Sequence, residues 1–291
     1  MSETPNLAYV ILSLVPQVGK KTLENLLQKF GSPEKVFEQS IEDLKKVQGV
    51  GQKTAYRIAS MDQVQIALQI QKWQKYGVRI ITRNSLEYPS SLAGIEDAPL
   101  TLFVRGSLDL TTIPKSVAIV GTRNAKQKSL DIAHELGEFY AQAGYTIVSG
   151  LALGIDTKAH QGSLKSPKAP PIAVLGGGVL NIYPPQNKQL AEQIAQHGAL
   201  ISENAPDATA AASRLVIRNR IIAGLCQHVI VVESAINGGA MHAARAATKQ
   251  GRTLYTLDLP VSGNQALIKQ ENVNIIDPDN PHLPLPNTST E

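Results

Sequence analysis

Apolar residues recur along this chain in two rhythms. From Thr22 to Phe30 they share one helical face, with Leu23, Leu26, Leu27 and Phe30 aligned. A further helix is predicted over Gln65 to Tyr76, closed by Gly77 in a C-cap position. At Val78 the period changes, and Val78–Thr82 and Leu100–Gly106 read as strands. An apolar run, Val117–Val120, then meets Gly121-Thr122-Arg123, and the same grammar repeats. Thr146–Val148 leads into Ser149-Gly150, Ile172–Leu175 into Gly176-Gly177-Gly178, and Val229–Val232 into Glu233-Ser234 and Gly238-Gly239. Ala199–Glu203 adds a short strand. Near-continuous apolar strands, each followed by a helical pattern, describe a parallel sheet buried on both faces. Ligands of such sheets bind beyond the carboxyl ends of the strands, where these glycine turns lie.

The expected organisation is therefore α/β: a helical domain over 1–77, a mostly parallel sheet domain over 78–276, and a polar, Pro-rich tail over 277–291. The strands from Val78 to Gly106 extend one edge of the sheet, and the tail is expected to be disordered.

Within the helical part, Gly49-Val50-Gly51 before Thr54–Ser60 reads as a helix-hairpin-helix turn. Such a turn presents unpaired N–H groups to a phosphate, and Lys53 adds charge, so Gly49, Gly51 and Lys53 form a secondary candidate contact. An earlier segment, Val15–Lys20, follows the pattern with Gln17 where it prefers glycine. In the sheet domain, Gly121 lets the backbone approach an anion that Thr122 and the forked guanidinium of Arg123 can grip, with Lys126 and Lys128 nearby. The Gly-x-Gly-x-x-Gly spacing of a dinucleotide site is absent. Arg214 to Leu225 reads as a helix, within which Arg218, Asn219 and Arg220 form a polar cluster among apolar residues, where neighbouring arginines cannot share one helix face. One is expected to meet ligand while the other pairs with a carboxylate such as Glu233. Asp156 and His160, four apart, read as a helix-opening aspartate beside a hydrogen-bonded histidine.

Composition narrows the classes. A chain of 291 residues can bury a substantial core. One cysteine, Cys226, excludes an internal disulfide, suits a reducing cytosol and reads as core packing. The six histidines lack ligand spacing, so no metal is expected. The apolar run Leu7–Val15 is too short to span a bilayer. A net charge of +4 leans toward an anionic partner.

The motifs, taken in order, resemble the DNA-processing protein A family (DprA, or Smf). The matching pieces are Gly121-Thr122-Arg123, Ser149-Gly150 through Gly154-Ile155-Asp156, Ala173–Gly178 with Tyr183-Pro184, Ser202-Glu203, Arg218–Leu225 and Ser262-Gly263-Asn264. The helical, SAM-like front end fits the family's layout. The resemblance implies an extended Rossmann-like fold and a cytoplasmic homodimer without cofactor, metal or catalysis. Such a protein binds single-stranded DNA, protects it, and loads the recombinase RecA during natural transformation. It also implies phosphate contact at Gly121, Thr122 and Arg123, with Ser149, Gly150, Gly176, Gly177, Gly178, Arg218, Asn219 and Arg220 in the same pocket. The chain departs from the family at Leu215-Val216, in place of Phe-Pro, and in the alanine-rich loop before them. Loss of an aromatic there implies weaker base stacking, by about 1–3 kcal/mol. Two other readings are a nucleoside-monophosphate phosphoribohydrolase using Glu233 with Arg218 or Arg220, and an interaction scaffold with weakened DNA binding.

Overall fold

A computed structural model describes residues 6–113, 115–282 and 285. One sheet carries β1 (Val78–Thr82), β2 (Thr101–Gly106), β3 (Ser116–Val120), β4 (Thr146–Ser149), β5 (Ile172–Val174), β6 (Ala199–Ser202), β7 (His228–Val231), β8 (Thr253–Leu257) and β9 (Val273–Ile276). The strand order is β1-β2-β6-β5-β4-β3-β7-β8-β9. From β6 to β9 every pairing is parallel. β1 and β2 are antiparallel additions beyond β6, as their position before the repeating pattern implied.

The continuous apolar character of β3 follows from its two covered faces. Val117 and Ile119 pack with Ile132, Leu136 and Tyr140 of the helix Gln127–Gln142 and with Ala159 of the helix Ile155–Ser163. Ala118 and Val120 point the other way, toward Ile221 and Ile222 of the helix Asn219–Gly224 and Ala243 and Ala247 of the helix Ala240–Lys249. Burying an apolar side chain stabilises by about 1.5–3 kcal/mol, so a strand apolar at every position belongs in the middle of such a sandwich.

The helical front end has its own core, with Leu12, Leu23, Leu26, Leu44, Ala55 and Ile58 fully buried. Its two hairpins share a backbone conformation. Gly49 has φ +89° before the helix Gln52–Ala59, and Gln17 has φ +74° before the helix Lys20–Phe30. The Gln17 side chain accepts from Arg57 at 3.2 Å and Thr54 at 3.3 Å, which ties the first hairpin to the second helix. The last helix, Gln63–Lys75, docks this unit on the sheet, where Trp73 meets Phe103 edge-on. Trp73 is thus an anchor between the two parts.

Two strands had no counterpart in the apolar pattern, and two expectations change. β8 and β9 carry no apolar run: threonines and a tyrosine interrupt β8, and β9 is a half-exposed edge. The helix expected from Arg214 to Leu225 is two short helices, Ala212–Ile217 and Asn219–Gly224, which break at Arg218. The tail is not loose where it is described: Asp279 pairs with Lys128 at 2.5 Å, His282 stacks on Phe139, and the buried Leu285 receives the Tyr145 hydroxyl at its carbonyl. The remaining tail residues, 283–284 and 286–291, lie outside the described residues.

Candidate nucleic-acid interface

The chain runs β3, β4, β5, β6 toward one edge, then returns to the other side of β3 with β7 and builds β8 and β9 there. Loops leave β3 and β7 in opposite directions at that reversal, which opens a crevice at their carboxyl ends. A cleft of about 670 Å³ occupies this place. Its walls come from the β3 turn (Gly121–Asn124), the turn after β7 (Asn237–Gly239), Ala152 after β4, and the segment Ala210–Ala212 with Leu215 and Asn219.

Arg123 stands exposed on this cleft, and no carboxylate lies within ion-pair distance of it among the described residues. Lys126 is exposed beside it, with its backbone N–H donating to the Glu233 carboxylate at 3.2 Å. Glu233 is therefore engaged by the β3 turn and not by an arginine. Lys128 is drawn away by Asp279. The Thr122 amide is also committed, donating to the Glu233 carbonyl at 2.8 Å. The Thr122 hydroxyl accepts from the Asn124 amide at 3.3 Å and remains on the cleft wall.

Arg218 forms part of the cleft floor, 5% exposed. Its guanidinium donates to the Gly150 and Val174 carbonyls, at the ends of β4 and β5, and lies 3.9 Å from the Asp156 carboxylate. Asp156 accepts in turn from the amides of Gly150 and Ala152 at 3.1 and 3.4 Å. Burial pushes the Asp156 carboxyl up, while Arg218 and these amides oppose the shift. Gly150 has no alternative here, because a Cβ would overlap the Arg218 guanidinium. Arg220 points to the opposite side of its helix, where Glu203 holds it bidentately at 2.9 and 2.6 Å and Asp97 approaches at 3.2 Å. The carboxylates that meet the two arginines are thus Asp156, Glu203 and Asp97, and Arg220 is not on the cleft. Asn219 is, donating to the Gly239 carbonyl at 3.3 Å.

The remaining turns shape the cleft from below. The Ser149 hydroxyl donates to the Ile119 carbonyl at 2.6 Å inside the sheet. Gly176, Gly177 and Gly178 are buried under the segment 205–215, and a Cβ at Gly178 would overlap the carbonyls of Ala205 and Pro206. The triple glycine, expected as an open phosphate turn, instead admits this segment. Gly121 is similarly close to Ile155. His160 is fully buried, and its ring makes no hydrogen bond of good geometry beyond an interaction with the Ser149 backbone. Burial pushes it down to about 3, the Arg218 charge adds to this, and the Ser149 backbone opposes weakly. It is neutral near neutral pH.

One contact had no signal in the sequence. Asp207, in the alanine-rich loop, accepts from Gln69 at 2.8 Å and from the Trp73 indole at 3.3 Å. The helical unit therefore holds the loop that covers the triple glycine. Gly49, Gly51 and Lys53 lie in that unit and not on the cleft, with Gly51 and Lys53 exposed at their helix start. Among the described residues no group of metal-ligating side chains occurs, and no helix is long and apolar enough to cross a membrane.

A switch-point cleft on an extended Rossmann-like sheet, preceded by paired helical hairpins, defines a class that the comparisons resolve further. A model of "DNA recombination-mediator protein A" matches residues 79–280, and one of the "SAM-like Helix-hairpin-helix tandem" matches residues 10–60. The chain belongs to the DNA recombination-mediator protein A family. It is 37% identical to the DNA processing protein DprA of Bacillus subtilis over 64% of this chain and 62% of that one. It is 34% identical to the protein Smf of Synechocystis over 88% of this chain and 65% of that one. The chain thus spans somewhat less than two thirds of these relatives. The crystal structure of DNA processing protein A from Streptococcus pneumoniae matches with a TM-score of 0.78 at 29% identity, covering 95% of both chains. A structure of the Helicobacter pylori protein, described for its single-stranded DNA binding mode, matches with a TM-score of 0.62 at 28% identity, covering 68% of this chain and 90% of that one.

Proposed function

We propose that this chain binds single-stranded DNA along the switch-point cleft, protects it, and loads RecA onto it during natural transformation, acting as a cytoplasmic homodimer and not as an enzyme. One observation carries the reading: Arg123 is an exposed arginine without a carboxylate partner, at the mouth of a cleft framed by strand ends. An unpaired guanidinium can grip a phosphate through two N–H donors. Gly121 and Thr122 set its position, Ser149, Gly150 and Gly176 to Gly178 form the supporting floor, and Asn219 is the polar group on the far wall. Arg218 acts from beneath by holding that floor. The hairpin amides at Gly49 and Gly51, with Lys53, are a second phosphate contact for a strand leaving the cleft.

The open cleft fits a flexible strand better than a rigid duplex, and gripping the strand by phosphate is expected to tolerate sequence. Titration of labelled single and double strands at two salt concentrations tests this. The reading predicts preferential retention of single strands, weakened by salt. Equal affinity for both, or none for either, would contradict it. Loading is tested separately by RecA filament growth on strands already coated with single-strand-binding protein, and the dimer by sedimentation.

A further inference from the structure

The helices Asn219–Gly224 and Ala240–Lys249 each carry a second polar face. Asn219 and His242 look onto the cleft, whereas Arg220 and Arg245 look onto a separate cavity of about 670 Å³. The other wall of this cavity is the segment Ser90–Asp97. Its charges do not cancel. Glu96 is taken by Lys249 at 2.8 Å, and Asp97 by Arg220 at 3.2 Å. Arg245 and Arg252 then remain with no carboxylate within ion-pair distance among the described residues. Arg245 is exposed, and its guanidinium hydrogen-bonds the His242 ring at 3.2 Å. Arg252 is half-buried and donates through Nη2 to the carbonyls of Ser91 and Gly224, yet its Nε–H has no partner.

A second orphan lies beside it. Gln250 donates to the Arg220 carbonyl at 3.0 Å, but its buried Oε1 accepts nothing. Both orphans flank Gly224: its carbonyl takes the Arg252 Nη2, and a Cβ on it would sit 3.5 Å from Gln250 Oε1. A buried polar atom left unpaired costs about 1–3 kcal/mol, and the two side chains that carry this donor and this acceptor both line the cavity. It asks for a ligand with negative charge for the arginines and a hydroxyl or amino donor for the glutamine. The volume is in the range of small-molecule sites and exceeds what a lone phosphate fills.

We propose that this cavity is a second site, independent of the cleft, that binds a phosphate monoester carrying hydroxyl or amino donors. Two sources share that chemistry: a free phosphorylated metabolite, and the 5′-phosphate end of a strand. Arg245 grips the phosphate at the mouth, while Gln250 Oε1 and Arg252 Nε–H take the polar body.

Calorimetric titration of the full chain with inorganic phosphate, glucose 6-phosphate, adenosine 5′-monophosphate and a short oligonucleotide with and without a 5′-phosphate tests the site. Saturable binding of a free monoester with Kd below about 1 mM is expected, weakened at least tenfold by Arg245→Glu and by Gln250→Leu and unchanged by Arg123→Ala. A gain in oligonucleotide affinity from the 5′-phosphate that is lost in Arg245→Glu and kept in Arg123→Ala supports the strand-end source instead. Inorganic phosphate binding as tightly as the esters would overturn the assignment. So would the absence of binding by every probe, or ester binding lost in Arg123→Ala and kept in Arg245→Glu. Because Arg123 is the control, loss of strand binding in the cleft and failure of this site are read separately.

Discussion

Arg218 and Asp156 face each other at 3.9 Å in the floor of the cleft, both nearly sealed from solvent, and between them they tie the carboxyl ends of β4 and β5 to the start of the following helix. A buried pair of this kind contributes modestly against apolar residues of the same shape, but removing one partner leaves an uncompensated charge. Arg218→Met is expected to cost about 3–5 kcal/mol, measured by urea unfolding. Asp156→Asn keeps an acceptor for the amides and should cost less. Equal stability of Arg218→Met and the parent would remove the pair from the account.

Gly178 makes a second case in which stability reports the cleft. Any side chain there overlaps the carbonyls of Ala205 and Pro206, and the Gly178 amide donates to Ala208 at 2.8 Å. Gly178→Ala is expected to destabilise by about 1–3 kcal/mol, the usual range for overpacking, and to lower strand affinity by displacing the wall. A thermal melt together with a binding titration checks both.

His160 gives the acid limb of stability a definite shape. Folded, it titrates near about 3; unfolded, near 6.5. Between those values the unfolded chain holds a proton that the folded chain refuses, so stability falls as the pH falls. The slope from this group is about 1.4 kcal/mol per pH unit, and it vanishes above pH 6.5. The raised carboxyl of Asp156 works in the opposite sense, since its folded form takes a proton earlier on the way down. His160→Gln should flatten the net acid limb; an unchanged slope would contradict the neutral buried histidine.

Asp207 couples the helical unit to the cleft. Asp207→Ala leaves the buried Trp73 indole and the Gln69 amide without their acceptor, at a cost of about 1–3 kcal/mol. Trp73 is the chain's only tryptophan, so its emission should shift in this variant without interference. Strand affinity should fall while its salt dependence stays, because no phosphate contact is removed.

Much of the scaffold was legible because burial on both faces writes itself as unbroken apolar runs. β3, β5 and β7 are such runs, and the glycine turns that follow them mark their carboxyl ends. β8 and β9 were not legible: Thr253, Thr256 and Tyr255 break the run, and the exposed edge leaves β9 no pattern. The site was harder, because a sequence names a side chain without its direction. Helical spacing required Arg218 and Arg220 to diverge, but the letters do not say which of them turns into the cleft floor and which to Glu203 on the far side. The triple glycine had a clear physical demand, close backbone approach, but the approaching group is the chain's own 205–215 segment. Asp207 could not have been found, since its partners lie more than a hundred residues away.

If Arg123 touches phosphate while Arg218 holds the cleft floor together, the salt dependence of single-strand binding separates the two. Logarithmic affinity plotted against logarithmic salt should lose about 0.7 of slope in Arg123→Ala, as for one lost single-strand phosphate contact. In Arg218→Lys the affinity should drop with the slope unchanged. If Arg123→Ala binds single strands as tightly as the parent, with the same slope across salt concentrations, the cleft is not where this chain holds DNA.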